Sequence, residues 1–191
     1  MEDQEIIIPK IDNNFEKFDI ESFQKHNLSR YDEVIGNNVL IVHTGDKADD
    51  QKKIGFSKVV YKTESYFNIT KNFYSNGNIQ IKGISFNNGS QYGIWYEFDE
   101  NGNLIEEIDM DKGFDFGWEQ VILYCIENKI ELTKGYETSG FQTTIYKEEN
   151  DEGDKIWVIT YQIAGDQLLE LTLDGKTGEE INRKELEFIN H

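Results

Sequence analysis

Three histidines, one cysteine and a large surplus of carboxylates are the side chains through which this chain could do chemistry. His26 falls on a predicted helix, His43 at the end of a predicted strand, and His191 at the terminus. Zinc sites draw His and Cys from close-spaced pairs, and no such pair occurs here. Cys125 lies on the apolar stripe of a helical pattern, where a thiol behaves as a small hydrophobe. A Cys125–His43 couple is therefore a poor nucleophilic pair. Gly175, Lys176 and Thr177 echo the end of a phosphate loop, but the upstream glycine of that motif is missing and no apolar helix follows. They read as a hairpin turn. Asp109, Asp111 and Asp115 bring oxygen ligands together without the spacing, central glycine or closing glutamate of a calcium loop. A carboxylate pair of the glycosidase kind stays open among 37 acids, with no pocket in the sequence to hold it. The expectation is a protein that is not an enzyme and carries no metal and no cofactor.

What remains is a surface. The 37 Asp and Glu stand against 19 Lys and Arg, a formal net charge of −18. Such a field repels nucleic acid and anionic lipid and steers basic partners in; it also serves plain solubility. Direct nucleic-acid binding needs a clustered basic face, so it is disfavoured. Glu107, Asp109 and Asp111 alternate along one face of a predicted strand, beside Asp99 and Glu100 in the preceding turn, with Asp115 further on. Trp95 has the opposite parity to Ile94, Tyr96 and Phe98, which places it on the solvent face as an aromatic anchor inside an acidic rim. The competing readings are packing of Trp95 under a neighbouring element and a simply solvated row of acids.

The elements that must position these residues are mostly strands. Only one proline accompanies 16 glycines, which fits many tight turns. The N-terminal run from Phe15 to Leu28 predicts a short helix, with Asp19 as its cap and Phe18 and Phe23 as a hydrophobic staple. Val39–Val42 and Phe56–Tyr61 predict strands, separated by the polar turn from Thr44 to Asp50. Ile79 and Ile81, then Ile94, Tyr96 and Phe98, alternate as strands do; the parity slips at Gly83, which suggests a β-bulge. Leu104, Ile108 and Met110 share a face, with Glu106 out of place among them. Trp118, Val121, Ile122, Cys125 and Ile126 form the stripe of an amphipathic helix, ending near Asn128 and Lys129. Strands then follow at 141–146, 156–163 and 167–173, with a tight turn at Ala164, Gly165 and Asp166. Asp174 to Gly178 is a further turn, leading into a charged tail. The fold class predicted is α+β, mainly antiparallel β. Its organisation is a β-rich region over 1–115 and a helix with an antiparallel sheet over 116–191.

Phe73, Asn76, Gly77 and Ile79 recur as Phe98, Asn101, Gly102 and Leu104, while Gly89 and Gly93 recur as Gly113 and Gly117. This is an internal repeat, and its Asn-Gly steps suit type I′ hairpin turns. With Gly83, Asn88 and Trp95, the pattern resembles the MORN-variant repeat of YwqK-type antitoxins over residues 70–118, about a quarter of the chain. The second copy lacks the equivalent of Gly83 and runs into the helix. Residues 118–181 are similar to a PepSY-like helix and sheet, notably Ile156 to Tyr161 and Leu169 to Ile181. The resemblance implies an immunity protein or antitoxin that occludes a cognate toxin in the cytoplasm, a basic nuclease or another effector that acts there. No basic n-region or long apolar stretch opens the chain, no bilayer-spanning run follows, and a lone cysteine suits a reducing compartment. The alternative is a non-catalytic β-repeat scaffold for a small molecule, glycan or membrane-associated partner.

Overall fold

The computed structural model describes residues 5–44 and 55–187; the polar turn beyond Thr44, His191 and the first four residues lie outside them. Seven strands form one antiparallel sheet in chain order: β1 (Arg30–Ile35), β2 (Asn38–Thr44), β3 (Phe56–Lys62), β4 (Phe67–Phe73), β5 (Ile79–Phe86), β6 (Gln91–Phe98) and β7 (Leu104–Asp109). A second antiparallel sheet contains β8 (Thr144–Glu149), β9 (Lys155–Ala164), β10 (Gln167–Asp174) and β11 (Glu180–Glu187). Two helices, α1 (Ile20–Lys25) and α2 (Trp118–Glu127), complete an α+β fold dominated by antiparallel β-structure.

The turns explain the meander, and they correct one expectation. Neither Asn76 nor Asn101 has a positive φ, which the type I′ turn requires at both central residues; Gly77 and Gly102 alone do, at 85° and 89°. Gly77 N–H donates to the Tyr74 carbonyl, and Tyr74 N–H to Asn78. Gly102 with Asp99, and Asp99 with Asn103, repeat the arrangement. Each is a type I turn closed by a left-handed glycine, the three-residue hairpin loop. Each loop is followed by a register shift that leaves one residue over: Gln80 opposite Phe73 and Asn72, and Ile105 opposite Phe98 and Glu97. The bulge at Ile105 flips the parity of β7 and accounts for Glu106. Glu106 and Ile108 share one face, Glu107 and Asp109 the other.

The front face of the large sheet carries the core in two clusters. Phe67, Ile84 and Phe86 meet Trp118, Val121, Ile122 and Cys125 of α2, which lie in turn against Trp157, Ile159, Leu169, Leu171 and Leu173 of the small sheet. The helix is thus clamped between the sheets, and the two regions share one core across the 115/116 boundary. At the other end Phe18 and Phe23 cover Leu40, Val42, Phe73, Ile79 and Phe98. Asp19 caps α1 by accepting from Ser22 N–H at 2.9 Å, and the Phe18 and Phe23 rings stand 5.7 Å apart. The helix is shorter than the 15–28 run predicted. Glu16 and Phe18 are held in an extended arm by backbone bonds to Ile79 and Gly77.

Three strands, β1, β4 and β11, lie where the sequence predicts none. The charged tail is an edge strand, β11, and β1 precedes the first predicted strand. Both lie at sheet edges and are almost wholly exposed, so neither carries the alternation that betrays a half-buried strand.

Candidate functional site

The groups best suited to catalysis are engaged or buried. The His26 ring stacks on Tyr31 at 3.9 Å and its Nδ1 bonds the Ser22 carbonyl; His43 Nδ1 bonds the Thr44 carbonyl. Burial pushes the Cys125 thiol up to about 12, and no charged group counteracts that. Among the described residues no three His, Cys, Asp or Glu side chains are grouped so that they could hold a metal ion. At the Gly175–Thr177 turn, Lys176 and Thr177 N–H donate to the Asp174 carboxylate, which they hold below its usual range. The amides a phosphate would take already have an anion.

A cavity of about 840 Å³ opens between the 129–143 loop and the end of β9, near Phe141, Gln142 and Tyr161. Two of its polar groups, Glu137 and Gln142, serve their own loop. Glu137 accepts from the backbone and hydroxyl of Ser139 and from Thr138 N–H, and its carboxyl is held down by them. Gln142 is tied to Thr133 and to the Ser139 carbonyl.

Of the predicted surface site, Trp95 is a correction. It is 5% exposed, its Nε1 donates to the Ile84 carbonyl at 2.9 Å, and its ring lies over Gly83. A Cβ at Gly83 would come within 2.2 Å of ring atoms. Gly83 does mark a register shift, but against β6; the parity slip of β5 arises at Gln80, which sets Ile81 on the opposite face from Ile79, and Gly83 makes room for the indole. Trp95 cannot be the aromatic anchor of a binding surface. The glycine and tryptophan together were the available signal.

The acids divide. Asp99 caps its own turn, accepting from Asn103 and from Asn101 N–H; Asn103 is the first cause of its lowered pKa. Asp111 faces inward, bonding Gly93 N–H at 2.9 Å and Lys147 Nζ at 2.7 Å, so it pins the two sheets together. Burial lowers the Lys147 pKa and Asp111 opposes that shift. Glu100 accepts from Asn76 and Asn78 through its carbonyl, leaving its exposed carboxylate outside that bond. Asp109 accepts from Asp111 N–H, and Glu107 meets Asn13 at 3.3 Å. Glu107, Asp109 and Asp115 are exposed, and so is Glu106, which the alternation had set aside. Beside them Leu104 and Ile105 are 39% and 57% exposed. The surviving surface is the edge strand β7 with its flanks: carboxylates around aliphatic side chains, with the exposed Phe15 ring packed against Gly102 where the strand begins.

The cations tell a complementary story that composition did not reveal. Lys58, Lys71 and Lys82 are cross-strand neighbours on β3, β4 and β5. Like charges placed directly opposite repel. The arm answers two of them: Glu16 reaches Lys71 at 2.5 Å and Lys82 at 2.6 Å, while Lys82, fully buried, also donates to Asp12 and to the Asn14 carbonyl. Partial burial works to raise the Glu16 pKa, but Lys71 and Lys82 outweigh it and hold the carboxyl down.

No helix among the described residues is long and apolar enough to cross a membrane. Comparison of the chain with family models, curated proteins and solved structures finds no match.

Proposed function

We propose that this chain is a non-catalytic binding protein of the immunity or antitoxin type, which captures a basic protein toxin in the cytoplasm and neutralises it by occlusion. The observation that carries the reading is the exposed acidic strand β7. Between residues 99 and 115, the exposed Glu100, Glu106, Glu107, Asp109 and Asp115 stand against Lys112 alone. Exposed Leu104 and Ile105 supply apolar contact inside that rim, the usual anatomy of a protein-binding patch. A net charge of −18 accelerates capture of a cationic partner, which matters for a cell that must inhibit a toxin before it acts. The repeat resemblance points the same way, and a basic nuclease is the partner chemistry that suits it.

Co-expression with the product of the neighbouring upstream gene tests this. The expected result is rescue of growth, co-purification as a 1:1 complex, and association that slows steeply with salt. Absence of both rescue and complex would overturn it. The open cavity beside Tyr161 favours the second reading, a scaffold for a small molecule or glycan; that reading expects ligand-dependent thermal stabilisation with no protein partner.

A further inference from the structure

Four strands end the two sheets, and an edge strand presents unpaired backbone N–H and C=O groups to any segment that can pair with it. Three of these edges are closed or internally balanced. On β8, Ile145 N–H donates to Asn88 and the Ile145 carbonyl accepts from Ser90, so the β5–β6 turn occupies it. On β11, Arg183 pairs with Glu180, and Lys184 follows. On β1, Arg30 pairs with Asp32 and bonds Tyr136. β7 differs: Glu106, Glu107 and Asp109 share the strand with no cation, and no strand or loop backbone bonds its outer side among the described residues.

The bulge at Ile105 comes first, and residues 106–109 then pair regularly with β6. Along an antiparallel pair, alternate residues turn their backbone groups toward the partner strand, and the rest turn theirs outward. An added strand would therefore find main-chain partners while its side chains alternate between Glu106 on one face and Glu107 and Asp109 on the other. A second copy of this chain is a poor occupant, because β7 laid on β7 sets these carboxylates against one another. The matching occupant is an extended segment with Lys or Arg at alternating positions and an aliphatic residue for exposed Ile105.

We infer that β7 is a strand-addition site, and that a basic protein partner binds by pairing an extended, lysine- or arginine-bearing segment with this open edge. This rests on the proposed capture of a basic protein and specifies how it happens. Backbone pairing and charge then act together: the first fixes register, the second selects the partner.

The test uses the full chain and a short peptide of alternating lysine and valine. Controls are the same peptide N-methylated on its pairing edge, and an alternating glutamate–valine peptide. Binding at low salt should come with slowed hydrogen exchange of β7 amides between Leu104 and Asp109. N-methylation should weaken binding by at least about tenfold, since it removes main-chain donors and leaves charge intact. The double reversal Glu106→Lys with Glu107→Lys should weaken it comparably, with circular dichroism showing that the variant is folded. Reversal at Glu185 and Glu187 on β11 should leave binding unchanged. Equal binding of the N-methylated peptide with unprotected β7 amides would overturn strand addition and leave acidic capture standing. Failure of the basic peptide to bind at all, together with failure of the neighbouring gene product to form a complex, would overturn both.

Discussion

The lysine row beneath the N-terminal arm and the carboxylate edge of β7 handle charge in opposite ways. Under the arm, like charges on adjacent strands are neutralised by Asp12 and Glu16 and, at Lys82, removed from water entirely. At β7, Glu106, Glu107 and Asp109 are left in solvent with no cation on their own strand. Burying an ion costs several kcal/mol unless its partners are well placed, whereas exposed charges change stability little. The inner charges hold the fold and the outer ones are free to meet a partner. The contrast predicts that equal chemical changes in the two regions have very unequal consequences.

The largest consequence belongs to Glu16. Glu16→Gln removes the charge shared by Lys71 and Lys82 and leaves the buried Lys82 ammonium with Asp12 as its one remaining carboxylate. A loss of about 3 kcal/mol is expected, measured by urea unfolding. Lys82→Met, which removes the buried ion and keeps much of its volume, should cost clearly less, because Glu16 then still pairs with Lys71. Equal costs would mean that packing, not charge, secures the arm, and the contrast would fail.

The next effect tests whether β7 stands on a rigid support. Trp95 on β6 is seated against Gly83 with its indole N–H satisfied, so Gly83→Ala forces the ring or the strand to move. A cost of about 2 kcal/mol is expected from calorimetric unfolding, in line with overpacking elsewhere. A neutral result would make the neighbouring edge a soft element and weaken the case that it presents a defined shape.

Acid provides a graded version of the same comparison. The Glu16 carboxyl is lowered in the folded chain, so its contribution is complete above its ordinary value of 4.5 and lost as pH falls through the depressed one. Unfolding free energy should fall below about pH 4.5, and the Glu16→Gln variant should show a flatter dependence. Parallel curves would remove Glu16 as the source.

Much of this architecture was legible in the chain, and where it was not the reasons are physical. Most strands with one buried face, and the stripe of α2, announce themselves through period; β4 does not, because Lys71 interrupts its apolar face and the polar Asn68 is buried. The edge strands β1 and β11 have no buried face and were therefore silent. The repeat located both hairpins but not their turn type, because an Asn-Gly step serves a type I turn with a left-handed glycine as readily as type I′. Among the surface residues, Glu107, Asp109 and Asp115 were found exposed as expected, whereas Asp111 is turned inward by Lys147, a residue 36 positions away. Trp95 was misjudged because parity tells which face a side chain takes and nothing about what shares that face. Half-buried Lys71 and buried Lys82 were invisible for the same reason: their partners lie 55 to 70 residues earlier.

The smallest stability effect is expected where the functional effect should be greatest. Glu106→Lys with Glu107→Lys alters four units of charge on an exposed strand, in an environment where surface substitutions stay within about 0.5 kcal/mol. Its urea midpoint should match that of the unaltered chain, or rise slightly as repulsion within the acidic surface is relieved. Association with a basic partner should slow and lose much of its salt dependence, since long-range attraction acts on the rate of encounter. If the reversal instead unfolded the protein, β7 would belong with the lysine row as a structural charge cluster. Stability unchanged and capture lost is the result that separates a surface kept for binding from one kept for folding.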